Sequence, residues 1–199
     1  MLKRAFDVFF SLGALLVLSP LLVVVAVAIK LDSAGPVFFR QWRVGRAGRE
    51  FEIFKFRTMS DGAHARGPAI TVGDDRRIAA VGAFLRKYKI DEFPQFINVV
   101  IGDMSVVGPR PEVPRYVALY PPQTRELVLS VRPGITDLAS IEYRDENQLL
   151  GLSPDPEKAY LGEVLPAKLA YCERYVRERT FKGDLAIIGR SLVASFVRR

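Results

Sequence analysis

Apolar residues fall along this chain in three patterns. From Leu12 to Ile29 the sequence is almost uninterruptedly apolar, about the length a helix needs to cross a bilayer core. Over residues 33–59 the period shortens: PVFF (36–39) and FEIFKFR (51–57) read as strands around turns at Gly45 and Gly48, which predicts a hairpin. After that, helical spacing takes over. Asp74 or Asp75 is placed to cap a helix through Ile78, Val81 and Leu85. Asp91 is placed to cap another, in which Phe93, Phe96, Ile97, Val100 and Ile101 recur at helical spacing, Pro94 fits the opening turn and Gly102 ends the helix. Pro121-Pro122 opens a short helix ending near Val131, Arg132 to Thr136 reads as a turn, and the polar run over 141–151 is placed to cover a site. Two amphipathic helices close the chain. Leu165, Leu169, Cys172 and Val176 mark one; Phe181, Leu185, Ile188, Leu192 and Phe196 mark the second, with Lys182, Arg190, Arg198 and Arg199 off its stripe. The first is expected to pack in the core, and for the second core packing and a membrane surface both fit. The expectation is a mixed α/β, helix-rich domain with a small β-hairpin over 33–199, preceded by an apolar segment over 1–32.

Three readings of that first segment compete. A cleaved leader fits the Lys3-Arg4 start and the Ala26-Val27-Ala28 site. A simple spanning helix would place Lys3 and Arg4 on one side and Lys30, Arg40, Arg43, Arg46 and Arg49 on the other, so the positive-inside rule gives no orientation. The preferred reading uses Ser19-Pro20, mid-run. Proline removes a backbone hydrogen bond and bends the helix, and the Ser19 hydroxyl can bond the freed carbonyl one turn back. A re-entrant helix-break-helix then keeps both basic flanks on one face. Asp7 near its start is placed to pair with Lys3 or Arg4.

Composition narrows the chemistry. The 199 residues are 49% hydrophobic and carry 29 Lys+Arg against 22 Asp+Glu, net +7, which favours an anionic partner. One cysteine, Cys172, and one histidine, His64, exclude an internal disulfide and a His/Cys zinc cluster, and His64 sits in a Gly- and Ala-rich loop (60–73) that reads as a lid rather than a triad. No phosphate-loop, dinucleotide or Asp-x-Asp motif occurs. A nucleic-acid partner fits the charge but not the apolar run.

The densest constellation is RKYKIDEFPQFINVVIGDMSVVGPRPE, residues 86–112. Asp91 and Glu92 stand at a helix start, where positive backbone charge keeps an acid ionised and attracts phosphate oxygens; an ionised acid beside a docked phosphate is a candidate nucleophile. Arg110, held between Pro109 and Pro111, presents its planar donors with little freedom, and Arg86, Lys87 and Lys89 add cations. An ordinary capped helix followed by a Pro-rich turn explains the same residues.

IDEFPQFINVVIGDMSVVGPRPE resembles the signature of the bacterial sugar transferases, the monotopic phosphoglycosyl transferases. LKRAFDVFFSLGALLVLSP, AIKLDSAGPVFFRQWRVGRAGREFEIFKFRTM and DDRRIAAVGAFLRKYKIDE resemble family pieces in the expected order, as far as about Tyr116. The resemblance implies transfer of a sugar 1-phosphate from a UDP-sugar to undecaprenyl phosphate at the cytoplasmic face of a bacterial inner membrane. It implies Asp91 as nucleophile forming a covalent aspartyl-phosphosugar with release of UMP, Glu92 as positioning or metal-adjacent acid, and Mg²⁺ beside the pair. Arg86 and Arg110 would hold phosphates, Pro109 and Pro111 would fix the Arg110 loop, and Lys55 and Arg57 would be secondary phosphate contacts. Arg132 to Thr136 resembles the family's RPGIT piece and would line the nucleotide pocket. An inactive membrane-tethered basic scaffold of a glycan pathway is the alternative.

Overall fold

The computed structural model describes residues 2–60, 62 and 75–196; His64, Asp74, Arg198, Arg199 and most of the expected lid lie outside them. The apolar run forms one helix, α1 (Leu2–Asp32). The expected break at Ser19-Pro20 does not interrupt it. Pro20 leaves the Leu16 carbonyl without its helical donor, and the Ser19 hydroxyl donates to that oxygen at 2.8 Å, so the polar deficit is met locally. The middle of α1 is bare, with Leu16 and Val17 each 77% exposed.

Both ends of α1 are held by the rest of the molecule. At its start Asp7, 2% exposed, accepts from the Ser105 hydroxyl at 2.8 Å and the Val106 amide at 3.2 Å and pairs with Lys3 at 3.4 Å. Lys3 also reaches Asp184 at 2.7 Å, which accepts from the Tyr175 hydroxyl at 2.9 Å. Arg4 donates to the carbonyls of Val99 and Val100 at 2.6 and 3.1 Å. At its end Val25 and Ile29 pack on Phe56 and Leu85.

The predicted hairpin forms as β1 (Phe38–Val44) against antiparallel β2 (Glu50–Phe56), from Phe38 opposite Phe56 to Val44 opposite Glu50. The helix expected from Asp75 begins later, as α2 (Ala80–Lys87), uncapped by a side chain; Asp75 instead accepts from the amide and guanidinium of Arg77. Gly82 of α2 lies so close to β2's exit that a Cβ would sit 2.0 Å from the Thr58 carbonyl oxygen, which fixes where α2 delivers Arg86.

Helix α3 (Gln95–Ile101) ends at Gly102 with φ 107°, as expected, but its burial is inverted. Its buried residues are Gln95, Asn98 and Val99, while Ile101 is 62% exposed. Asn98 makes this possible by pairing with the β2 backbone: its Oδ1 accepts from Phe54 N at 2.9 Å and its Nδ2 donates to Glu52 O at 2.8 Å. The apolar side instead meets α1, through Phe96 beside Phe10.

The RPGIT piece is a strand. β3 (Ser105–Val107) pairs in parallel with β4 (Gly134–Thr136). Short helices follow as α4 (Pro114–Val117), α5 (Pro122–Leu129), α6 (Leu138–Glu142), α7 (Glu146–Gly151) and α8 (Pro156–Ala159). A π-turn over Tyr160–Val164 leads into α9 (Leu165–Glu178), and α10 (Phe181–Phe196) closes the described chain. Leu165, Leu169, Cys172 and Val176 are buried as predicted. Among the described side chains of α10, Asp184 and Ile187 are buried, whereas Leu185 and Leu192 of the apolar stripe, for which core and membrane surface both fitted, are 44% and 57% exposed. Burying Asp184 to receive Lys3 and Tyr175 turns that stripe outward.

Asp7→Ala should cost about 1–3 kcal/mol, because it leaves the buried Val106 amide without its acceptor and takes one of two partners from both Ser105 and Lys3, which keep the Val107 carbonyl and Asp184. Chemical denaturation in detergent checks this; unchanged stability would show that α1 is held elsewhere.

Candidate active site

β1, β2, the turn at Ile90–Glu92, the loop after β3 and the α6–α7 connection line one cleft of about 330 Å³. The acids sit on a single 3-10 turn, not on a helix cap as expected. Lys89, immediately before it, has φ 55°, a left-handed conformation that costs a side-chain-bearing residue roughly 1 kcal/mol. The reversal brings Asp91 and Glu92, consecutive in sequence, into the same cleft.

The two acids have opposite surroundings. Glu92 Oε1 accepts from Lys55 Nζ at 2.7 Å and from Arg110 Nη2, and Arg110 Nη1 lies 3.4 Å from Oε2. Burial alone would raise the Glu92 pKa, but the charges of Arg110 and Lys55 outweigh it and hold this acid well below the ordinary carboxylate range. In return Glu92 raises the pKa of Arg110, while burial lowers that of Lys55. Asp91 is 8% exposed and makes no hydrogen bond or ion pair among the described residues. Burial, with the Glu92 charge adding to it, pushes its pKa up to about 6, against the pull of Lys55, Arg86 and Arg110. One carboxylate is fixed and paired; its neighbour is desolvated and uncommitted.

The other expected residues divide. Arg86 Nε donates to Thr58 Oγ1 at 2.8 Å, and its charge reaches Asp91. Lys55 joins the site directly. Arg57, from the next outward position, does not: its guanidinium donates to the carbonyls of Ser33 at 2.7 Å and Ala34, capping the end of α1, and it borders a separate hollow with Val37 and Met59. Pro109 and Pro111 fix the loop through their carbonyls, which accept from Gly134 N at 2.9 Å and Arg43 Nη1 at 3.1 Å. The Arg110 amide donates to Asp137 at 3.0 Å. RPGIT therefore supports the Arg110 loop from behind and is absent from the cleft lining.

Sequence reasoning passed over several lining residues. Arg43, counted in the sequence only among the basic residues that follow the apolar run, points inward toward Glu112 at 3.6 Å. Glu112 accepts from the Tyr160 hydroxyl at 2.7 Å, and Lys168 pairs with Glu146 at 2.8 Å. Two-residue alternation along β1 would have found Arg43, since Phe39, Gln41 and Arg43 share the inner face. The polar run over 141–151 does supply part of the lining, including Tyr143 and Asn147.

With this geometry in place, comparison with known proteins is decisive for the family. The model for the bacterial sugar transferases matches residues 1–198. The chain belongs to that family. It is 40% identical to an exopolysaccharide production protein, PSS, of Rhizobium leguminosarum bv. phaseoli, over 99% of this chain and 96% of that protein. It is 35% identical to a UDP-glucose:undecaprenyl-phosphate glucose-1-phosphate transferase of Escherichia coli K12, over the full chain but 41% of that protein. It is 42% identical to a UDP-N-acetylgalactosamine-undecaprenyl-phosphate N-acetylgalactosaminephosphotransferase of Aeromonas hydrophila, over 70% of this chain and 34% of that protein. The chain thus spans nearly all of the Rhizobium protein and under half of the Escherichia and Aeromonas proteins.

Among the described residues no three His, Cys, Asp or Glu side chains gather as a metal cage. Mg²⁺ needs no such cage, because it is commonly held by one or two carboxylates together with substrate phosphates and water. Asp91 offers that carboxylate. Both Glu92 oxygens already face cations, so Glu92 suits positioning better than direct ligation.

Gly134→Ala would place a Cβ 2.1 Å from Gly108 N. The substitution should cost about 1–3 kcal/mol and lower turnover through Arg110, although Gly134 does not touch the cleft. Thermal unfolding and activity measured on one preparation check this; normal turnover would show that the strand contact does not set Arg110.

Proposed function

We propose that this chain transfers a sugar 1-phosphate from a UDP-sugar to undecaprenyl phosphate in two displacements through Asp91. The observation that carries the reading is the unpaired, buried Asp91 carboxylate among Lys55, Arg86, Lys89 and Arg110. The names of the Escherichia and Aeromonas relatives support the donor and acceptor classes.

In the first step an Asp91 oxygen attacks the β-phosphorus, and the bond from that phosphorus to the oxygen bridging toward the α-phosphate breaks. UMP leaves with the electron pair, and an acyl-phosphate bearing the sugar remains. In the second an undecaprenyl phosphate oxygen attacks the same phosphorus and Asp91 departs as a carboxylate. Desolvation with a pKa near 6 keeps Asp91 ionised at neutral pH yet more basic than a hydrated carboxylate, which suits a nucleophile that must later leave. Arg86, Lys89 and Arg110 offset the charge of the converging anions, while Glu92 holds Lys55 and Arg110 in place. Mg²⁺, when bound, would neutralise further phosphate charge.

The acceptor sets where the reaction takes place. α1 is proposed to re-enter the cytoplasmic face of the bacterial inner membrane, bending at Ser19-Pro20. Support comes from its two ends, both held by the catalytic domain, its bare apolar middle, and the Ser19 bond to the oxygen that Pro20 leaves free. Monotopic seating puts the cleft beside the lipid phosphate.

Purified protein should release UMP from a UDP-sugar, and Asp91→Asn should lower that release by at least about 10³-fold while remaining membrane-associated. Full release by the variant would overturn the assignment of the nucleophile. Because the attacking form is the carboxylate, the wild-type rate should fall about tenfold per pH unit below pH 6. A rate that stays flat down to about pH 4 would contradict a raised Asp91 pKa.

A further inference from the structure

The phosphate chemistry leaves part of the cleft unused. Ser140 and Arg43 both line it, and in each one side-chain atom, Ser140 Oγ and Arg43 Nε, is buried without a hydrogen-bond partner. Buried polar atoms in folded proteins are nearly always paired, so two unpaired atoms on residues that line one cleft mark where a ligand, with a small turn of each side chain, supplies the missing partners. Neither is loosely placed. The Ser140 amide donates to Asp137 Oδ1 at 2.6 Å, and Asp137 Oδ2 accepts from the Arg110 amide at 3.0 Å, so the orphan hydroxyl is tied to the loop whose arginine faces Glu92. Arg43 is fixed by Pro111 O at 3.1 Å and Gln41 Oε1 at 2.6 Å. Asn147 adds an exposed carboxamide to the same lining.

We infer that Ser140, Arg43 and Asn147 form the hexose-recognition part of the donor site, reading ring hydroxyls of the transferred sugar. This rests on the phosphosugar-transfer reading above. The chemistry favours the hexose over the base. A pyranose carries hydroxyls around its whole rim, each both donor and acceptor, and Ser140, the Arg43 Nε and the Asn147 amide complement such a rim. A uracil ring would seek an aromatic face, and the two tyrosine rings nearest Glu112 and Lys168 are already engaged, Tyr116 by the Arg115 guanidinium at 4.6 Å and Tyr160 by the Lys168 ammonium at 5.4 Å; Tyr143 remains for the base on another part of the lining. A site built to bond a hydroxyl also discriminates strongly against a sugar that lacks it there, because its own polar atoms then remain unpaired.

The test uses the full chain in detergent with UDP-glucose, UDP-galactose, UDP-N-acetylglucosamine and UDP-N-acetylgalactosamine. UMP release gives kcat/KM for each, and UMP added as inhibitor reports the nucleotide half separately. Ser140→Ala and Asn147→Ala should each lower kcat/KM for the preferred sugar by about 10-fold. The ranking among sugars should flatten while UMP inhibition stays within about twofold, and Ser140→Thr, which keeps the hydroxyl, should retain the ranking. An unchanged ranking in both alanine variants would overturn the inference with the transferase reading intact, and so would weaker UMP inhibition in step with the loss. If the wild type released UMP from none of the four, the transferase reading and this inference would fall together.

Discussion

The interaction on which the site depends is the clamp that Lys55 and Arg110 place on Glu92. It commits one of two adjacent carboxylates and its cations to a fixed geometry, and so leaves the other, Asp91, surrounded by positive charge but bonded to none of it. Each component comes from a different part of the fold. β2 supplies Lys55, the Pro-flanked loop supplies Arg110, and the left-handed turn at Lys89 brings the two acids in side by side. In the proposed mechanism the nucleophile and its electrostatic frame are thus adjacent residues with opposite roles.

The long helix belongs to the same construction. Its start is clasped by Ser105 and Asp184 around Asp7 and Lys3, next to the strand that leads into the Arg110 loop. Its end packs on Phe56, which follows Lys55, and on Leu85, which precedes Arg86. Arg57 caps that end and lies outside the cleft lining. A shift of the long helix would therefore pass directly to the residues around the acids, as the proposed reaction with a lipid phosphate would require.

Much of this was legible in the sequence, and the exceptions share a cause. The apolar run, the hairpin and the 86–112 cluster announce themselves through local rules of period, turn chemistry and spacing. What escaped depends on contacts between distant segments. α3 turns its polar Asn98 inward because a strand edge offers matching backbone groups. Arg57 caps a helix end 24 residues away, and α10 rotates to bury Asp184 for Lys3. RPGIT was readable as a turn, but its pairing with β3 needs the tertiary structure. Arg43 was the avoidable miss, because the alternation of β1 already placed it with Gln41 on the inner face.

The central claim, that phosphorus passes through the Asp91 carboxylate, is tested most directly by mass spectrometry of enzyme mixed with UDP-sugar, without acceptor, and quenched. The account predicts a mass gain of one sugar phosphate confined to the peptide carrying Asp91 and lost when undecaprenyl phosphate is added. An adduct on any other residue, or none while UMP is being released, would contradict it.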